Sequence, residues 1–224
     1  MAFFHKKLNT PAIFLGGAGF TQEDLDYCLE FSSTLIAADG GADHLREGNL
    51  TPSYLVGDLD SVKTKTYWKD RGTHVISIDE QQTTDFEKCL YSFDAPIFLC
   101  LGFVGKRTDH FLANCASLVK FFNKNIILVG SYDILFHIPK NIIISLDVGT
   151  RFSLFPLESV EGYASQGLKW PIEGIQFQPS KRVGTSNETV SPVVKLELSN
   201  NGMLLILPKN NLNSVIEFFI KEKL

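Results

Sequence analysis

The 224-residue sequence has no C-x-x-C pair, no long basic run, no apolar stretch of membrane-spanning length and no G-x-x-x-x-G-K-[ST] phosphate loop. Each absence removes a class of function. Without paired spacing, Cys28, Cys89, Cys100 and Cys115 read as reduced, structural cysteines inside predicted helices or strands. A formal charge of -4 with no basic stripe argues against a nucleic-acid surface. The lack of a long apolar segment argues against a membrane span. The first residues, MAFFHKKLNTP, lack the apolar core and cleavage site of a signal peptide, so a cytoplasmic address is expected. What the chain does have is 44% hydrophobic residues, enough for a sizeable core in one large or two smaller domains.

Up to about residue 130 strand-like and helix-like segments alternate. The runs 12–15, 34–38, 54–56, 74–78, 97–101 and 125–129 read as buried strands. Between them, helices are expected after the Thr21/Asp24 capping signal, around 42–47, near 64–70, over 85–92 and over 108–122. In the last of these, Phe111, Leu112, Cys115, Leu118, Val119 and Phe122 predict one apolar stripe. This grammar predicts a parallel sheet with helices on both faces. Beyond residue 130 the pattern becomes short β-type runs separated by turns, at 134–138, 142–146, 152–155, 193–198 and 203–207. Asn200-Asn201-Gly202 is a hairpin signal between the last two. A β-sandwich or barrel-like second domain is expected there, closed by a helical segment over 212–223.

Five polar clusters follow strand-like runs: Asp39-Gly40-Gly41-Ala42-Asp43, Gly57-Asp58-Leu59-Asp60-Ser61, Thr83-Thr84-Asp85, Gly102-Phe103-Val104-Gly105, and Lys106-Arg107-Thr108-Asp109-His110. In an open α/β sheet ligands bind outside the carboxyl ends of the strands, so such clusters converge in space. Carboxylates beside Arg and Lys suggest metal-assisted phosphate chemistry. Taken singly, each has a plainer reading. Asp58 and Asp60 can share a magnesium ion or simply form a turn. Asp39 with Gly40 and Gly41 can admit a phosphate or cap a helix. Thr84 or Asp85 can cap the helix that carries Lys88, and Arg107 with Asp109 can grip phosphate or pair with each other. Gln22 stands where the dinucleotide pattern G-x-G-x-x-G needs its last glycine, so Gly16 to Gly19 only weakly supports a dinucleotide site.

The ordered set ADGGAD, GDLDS, QTTDFEK and GFVGKRTDHFLAN resembles the catalytic domain of the thiamine pyrophosphokinase family. Gly167-Leu168-Lys169-Trp170-Pro171-Ile172 and Gly184-Thr185-Ser186-Asn187-Glu188 extend the likeness to its thiamine-binding segments. The resemblance implies a Rossmann-like parallel-sheet catalytic domain, 1–138, followed by an all-β sandwich, 139–224. It further implies a homodimer with sites at the subunit interface, and magnesium-dependent transfer of the pyrophosphoryl group of ATP to thiamine, giving thiamine diphosphate and AMP. Carried over, Asp58, Asp60, Asp85 and Asp109 form the catalytic and metal set. Asp39, Gly40, Gly41, Gln82, Thr84, Lys88 and Arg107 meet ATP, and Trp170, Ser186 and Asn187 meet thiamine. Two readings compete with this one: a related pyrophosphokinase acting on another alcohol, and a regulatory nucleotide-binding module that has lost the chemistry.

Overall fold

A computed structural model describes residues 4–46, 48–59 and 65–221. The chain divides into two compact units, Met1–Ser117 with Leu128–Ser131, and Leu118–Ile127 with Tyr132–Leu224. The first carries β1 (Lys6–Lys7), β2 (Ala12–Leu15), α1 (Gln22–Leu29), β3 (Leu35–Ala38), β4 (Tyr54–Gly57), α2 (Lys65–Asp70), β5 (His74–Ser77), α3 (Asp85–Ser92), β6 (Phe93–Asp94) and β7 (Phe98–Leu101). Next in the chain come α4 (Thr108–Lys120) and β8 (Ile126–Val129).

Strands β2, β3, β4 and β7 are buried at every position, as expected of a parallel sheet covered on both faces. Their order is β7-β2-β3-β4-β5, every pair parallel. The chain runs outward from β2 through β3 and β4 to β5, then returns to β7 on the other side of β2. The carboxyl ends of β2 and β7 therefore flank the point where the winding reverses, the usual ligand crevice of such sheets. A two-stranded parallel pair, β1 with β6, lies apart from this sheet.

Local chemistry explains the helices. Thr21 caps α1 by accepting from the Asp24 amide at 3.1 Å. Thr84 caps α3 in a reciprocal box with Glu87, an arrangement worth about 1 kcal/mol. Phe86, Cys89 and Leu90 then face the core. The segment expected as a helix around 42–47 is instead a 3-10 helix over Asp39–Leu45. In α4 the apolar stripe is displaced: Leu112 is exposed, as is Phe122 just past the helix end, while Asn114 and Ser117 are buried beside Cys115 and Leu118. Periodicity missed this because both polar side chains are satisfied inside, Asn114 by the Phe103 carbonyl at 2.9 Å and Ser117 by the Ala113 carbonyl at 2.9 Å.

The second unit holds β9 (Asp133–Ile138), β10 (Asn141–Ser145), β11 (Arg151–Pro156), β12 (Val160–Gln166), β13 (Gln176–Phe177), β14 (Gly184–Glu188), β15 (Val193–Leu198), β16 (Met203–Pro208) and α5 (Leu212–Lys221). They form antiparallel ladders in the orders β14-β11-β16-β9 and β10-β15-β12-β13. The expected β15–β16 hairpin is absent, because β15 pairs with β10 and β12 while β16 pairs with β9 and β11. Asn200 makes the turn, but as a corner between ladders. Its amide nitrogen donates to the Ser159 carbonyl at 2.6 Å and its oxygen accepts from the Gly202 amide at 2.8 Å. The ladder capacity of both strands is taken by other partners, and tertiary pairing overrides the turn signal. The apolar face of α5, with Leu212, Val215, Ile216, Phe218 and Phe219, is buried, and Phe219 meets Phe136 of β9 edge-to-face at 5.6 Å. All four cysteines are free and buried. Burial pushes the Cys28 thiol up to about 12 and the Cys115 thiol up to about 11.

Candidate active site

The loops leaving β2, β3 and β7 meet backbone to backbone. A Cβ at Gly16 would lie 2.5 Å from the Gly102 carbonyl oxygen, and one at Gly102 2.3 Å from that of Gly16. One at Gly41 would lie 2.0 Å from the Leu15 carbonyl oxygen. These glycines are required by loop-to-loop contact. Gly40 differs, with nothing within 4 Å of such a Cβ, and it faces open space. Beneath the loops, Phe86 of α3 contacts Phe103 at 4.5 Å between ring centroids and Phe14 of β2 at 6.5 Å, tying α3 and the Gly102 loop to the sheet. Burial of Phe86 alone contributes roughly 2 kcal/mol.

Above these contacts opens a cleft of about 290 Å³ lined by Gly16, Gly17, Ala18, Asp39, Gly40, Thr84, Asp85, Gly105, Lys106, Arg107, His110 and Asn114, among others. It brings together residues from four of the five sequence clusters. A Cβ on Gly57, the residue before Asp58, would stand 3.1 Å from the Asp39 Cβ and 3.2 Å from Asp85 Oδ1, so the fifth cluster begins at the same place. Lys88 is buried, and its Nζ donates to Asp85 Oδ1 at 3.2 Å, orienting a carboxylate that is one-third exposed.

Other expected site residues stand elsewhere. Asp58 accepts from the Gln81 amide at 3.1 Å. Gln82 is exposed in a loop organised by Glu80, whose carboxylate accepts from the Gln82 amide at 2.7 Å, the Thr83 amide at 3.1 Å and the Thr83 hydroxyl. These bonds, the Thr83 hydroxyl foremost, hold the Glu80 carboxyl below its usual range. Asp109 is exposed, does not line the cleft and is gripped by Arg107 through two bonds of 2.6 and 3.1 Å. The Arg107 hydrogen bond, then the His110 amide, lower the Asp109 carboxyl to about 2. Asp60 lies outside the described residues. Among the described residues no three His, Cys, Asp or Glu side chains converge to hold a metal. Magnesium, however, commonly takes one or two carboxylates and completes its shell with water and substrate phosphates. The all-oxygen donors Asp39 and Asp85, meeting at Gly57, are of that kind.

Backbone strain marks the same places. Among the described residues, the non-glycine residues with positive φ are Asp39 at 41°, Leu59 at 63°, Lys106 at 49° and Ser186 at 62°. Each falls inside a motif singled out from the sequence, and each conformation costs about 1–3 kcal/mol, a concentration expected where geometry serves a site.

In the second unit, Trp170 is 53% exposed and lines a cavity of about 220 Å³ with Ile172, Phe177, Arg182, Thr185 and Asn187. Asn187 fixes the Trp170 backbone from both sides, accepting from its amide at 3.1 Å and donating to its carbonyl at 2.7 Å. Lys169 sits 4.9 Å from the indole centroid and pairs with Glu188 at 3.2 Å. A resident cation thus borders the ring already. Ser186 does not line this cavity. Its amide donates to Ser153 Oγ at 3.0 Å where the β11–β14 register shifts. Lys106, His110 and Asn114 line the first cleft without having been assigned a role from sequence. The signal for Asn114 would have been a polar residue on the buried face of a helix beginning at a cleft.

Among the described residues no helix is long and apolar enough to cross a membrane. The sequence pattern described as thiamin pyrophosphokinase, catalytic domain, matches residues 25–129, and that described as thiamin pyrophosphokinase, vitamin B1 binding domain, matches residues 139–203. Thiamine pyrophosphokinase 3 of rice is 28% identical over 185 residues, 68% of this chain and 69% of its own. Thiamin pyrophosphokinase 1 of Caenorhabditis elegans is 24% identical over 74% of this chain and 75% of its own. The fold is similar to the crystal structure of yeast thiamin pyrophosphokinase, with TM-score 0.78, 19% identity, and 96% and 94% of the two chains covered. It is also similar to thiamin pyrophosphokinase from Candida albicans, with TM-score 0.77, 20% identity, and 92% and 93% covered. With both characteristic domains matched in order along one chain, this protein belongs to the thiamine pyrophosphokinase family of enzymes.

Proposed function

We propose that the protein transfers the pyrophosphoryl group of ATP to the hydroxyethyl oxygen of thiamine, releasing AMP. The observation that carries this reading is the cleft at the winding reversal, where Asp39, Gly40, Thr84, Asp85 and the Gly102–Arg107 loop meet. Such a crevice suits a nucleotide. Attack of a primary alcohol on the β-phosphorus concentrates negative charge, so positioning and charge neutralisation are the main tasks.

The open face at Gly40 lets the phosphate chain approach the backbone, and Thr84, as the cap of α3, fixes where Asp85 emerges. Lys88 holds the Asp85 carboxylate in one orientation. Asp39 and Asp85, with Asp58 and, by its place in the sequence, Asp60, are the residues we assign to hold magnesium, which when bound neutralises phosphate charge. Arg107 is a phosphate donor that must exchange Asp109 for ligand, and Asp109 serves as its tether in the free protein. One of these aspartates accepts the hydroxyl proton. Trp170 is assigned to the thiamine rings, with Asn187 locking its backbone and Ser186 shaping the adjoining strand.

In this reading residues 1–138 make the catalytic domain and 139–224 the thiamine-binding domain of a cytoplasmic homodimer. Exposed Ile143, Val148, Tyr163 and Val190 in the second unit are side chains of the sort a second copy covers. The test is direct. Purified protein with ATP, magnesium and thiamine is expected to form thiamine diphosphate and AMP in equal amounts, and ADP as the nucleotide product would refute the reaction type. Trp170→Ala is expected to raise the KM for thiamine roughly 2- to 30-fold with kcat little changed, the range that cation–π attraction supports.

A further inference from the structure

Lys106 combines three features. Its backbone sits at φ 49°, in the left-handed region where glycine is at ease and a long side chain is not. Its side chain lines the cleft and crosses it, with Nζ donating to the Gly17 carbonyl at 3.3 Å. Among the described residues that ammonium has no carboxylate within ion-pair distance, whereas neighbouring Arg107 donates two hydrogen bonds to Asp109. The Gly17 carbonyl is also 3.4 Å from His44 Nε2, which can donate to it in the Nε2-protonated form.

The Gly17 carbonyl carries no charge to offset the ammonium, whereas a phosphate oxygen adds opposite charge to the same hydrogen bond. We propose that Lys106, beside Arg107, is a further cation that engages the phosphate chain of the nucleotide, exchanging the Gly17 carbonyl for a phosphate oxygen. The unfavourable backbone conformation is kept because it aims the side chain across the cleft. Lys106 thereby discriminates phosphorylated from unphosphorylated nucleosides. In the same exchange it releases the loop at Gly17–Gly19, where a Cβ on Gly19 would meet Lys106 Nζ at 3.8 Å. This rests on the nucleotide reading of the cleft proposed above.

The backbone strain supplies a discriminating experiment, because Lys106→Gly relieves φ while deleting the charge. Calorimetric binding of ATP and of adenosine, together with thermal unfolding, is compared for wild type, Lys106→Gly, Lys106→Met and Lys106→Arg. Expected are a thermal midpoint for Lys106→Gly at or above wild type and a loss of ATP affinity of about 10-fold or more in both Gly and Met variants. Adenosine affinity should be unchanged, with Lys106→Arg recovering at least part of the ATP affinity. ATP affinities within twofold of wild type would overturn the proposal, as would parallel losses for ATP and adenosine, which would mark a purely structural role. A wild-type protein that binds no ATP would instead remove the nucleotide reading on which the proposal rests.

Discussion

The ion pair between Lys88 and Asp85 predicts an asymmetry that simple pair counting does not. The Lys88 side chain is 2% exposed, whereas Asp85 is 33% exposed at the edge of the cleft. Deleting Asp85 strands an ammonium in the interior, and stranding a buried charge costs about 3–5 kcal/mol. Deleting Lys88 leaves a carboxylate that water can reach. Lys88→Met loses one charge-assisted bond, keeps most of the packed stem and removes the buried charge itself. Its net cost is expected at about 1 kcal/mol or less. Asp85 also stands in the first turn of α3, where loss of a negative charge accounts for about 0.3–1 kcal/mol more. Urea unfolding of Asp85→Ala, Lys88→Met and the double variant measures the difference. Asp85→Ala is expected to be less stable than Lys88→Met by about 2–4 kcal/mol, and the double variant to recover at least half of the Asp85→Ala loss. Equal losses for the two single variants, or a double variant no better than Asp85→Ala, would refute the reasoning.

Two further outcomes test the site. Gly41→Ala should destabilise by about 2–3 kcal/mol or fail to accumulate, because its Cβ would meet the Leu15 carbonyl at the end of a central strand, whereas Gly40→Ala should unfold within about 0.5 kcal/mol of wild type. Thermal midpoints decide, and a wild-type midpoint for Gly41→Ala would contradict the loop contact. Asp109 should titrate near pH 2 by carbon NMR, and Arg107→Met should return it toward the ordinary carboxylate range. Because the folded carboxyl is depressed, any stability it contributes is present above its unfolded pKa and fades as pH falls toward 2. An unshifted Asp109 in wild type would show that the Arg107 contact does not persist in solution.

Much of this arrangement was legible in the chain. The strand–helix alternation, a cap at Thr84 or Asp85, and the run of helix over Asp85–Ser92 are local effects of hydrogen bonding and apolar spacing, so sequence carries them. The strands of the second unit, read from sequence over 134–138 and 193–198 and found at Asp133–Ile138 and Val193–Leu198, were legible for the same reason. Partner choice was not. The Asn200–Gly202 turn looks like a hairpin until the strands on either side are seen to be claimed by separate ladders. The displaced face of α4 depends on acceptors, the Phe103 and Ala113 carbonyls, that no periodicity contains.

The site divides along the same line. The residue types, their order and their position after strands were fixed by the chain itself, and they sufficed to point to phosphate chemistry and to the family. Which members share a cleft depended on the sheet order, because the reversal between β2 and β7 brings Gly16 and Gly102 into contact across 86 residues of sequence. Only the tertiary structure separated Gly40, facing open space, from Gly41, closed against Leu15. It also turned Arg107 toward Asp109 and sent Lys106 across the cleft. Direction and burial of a side chain are properties of its neighbours in space, and those neighbours are set by the winding of the sheet.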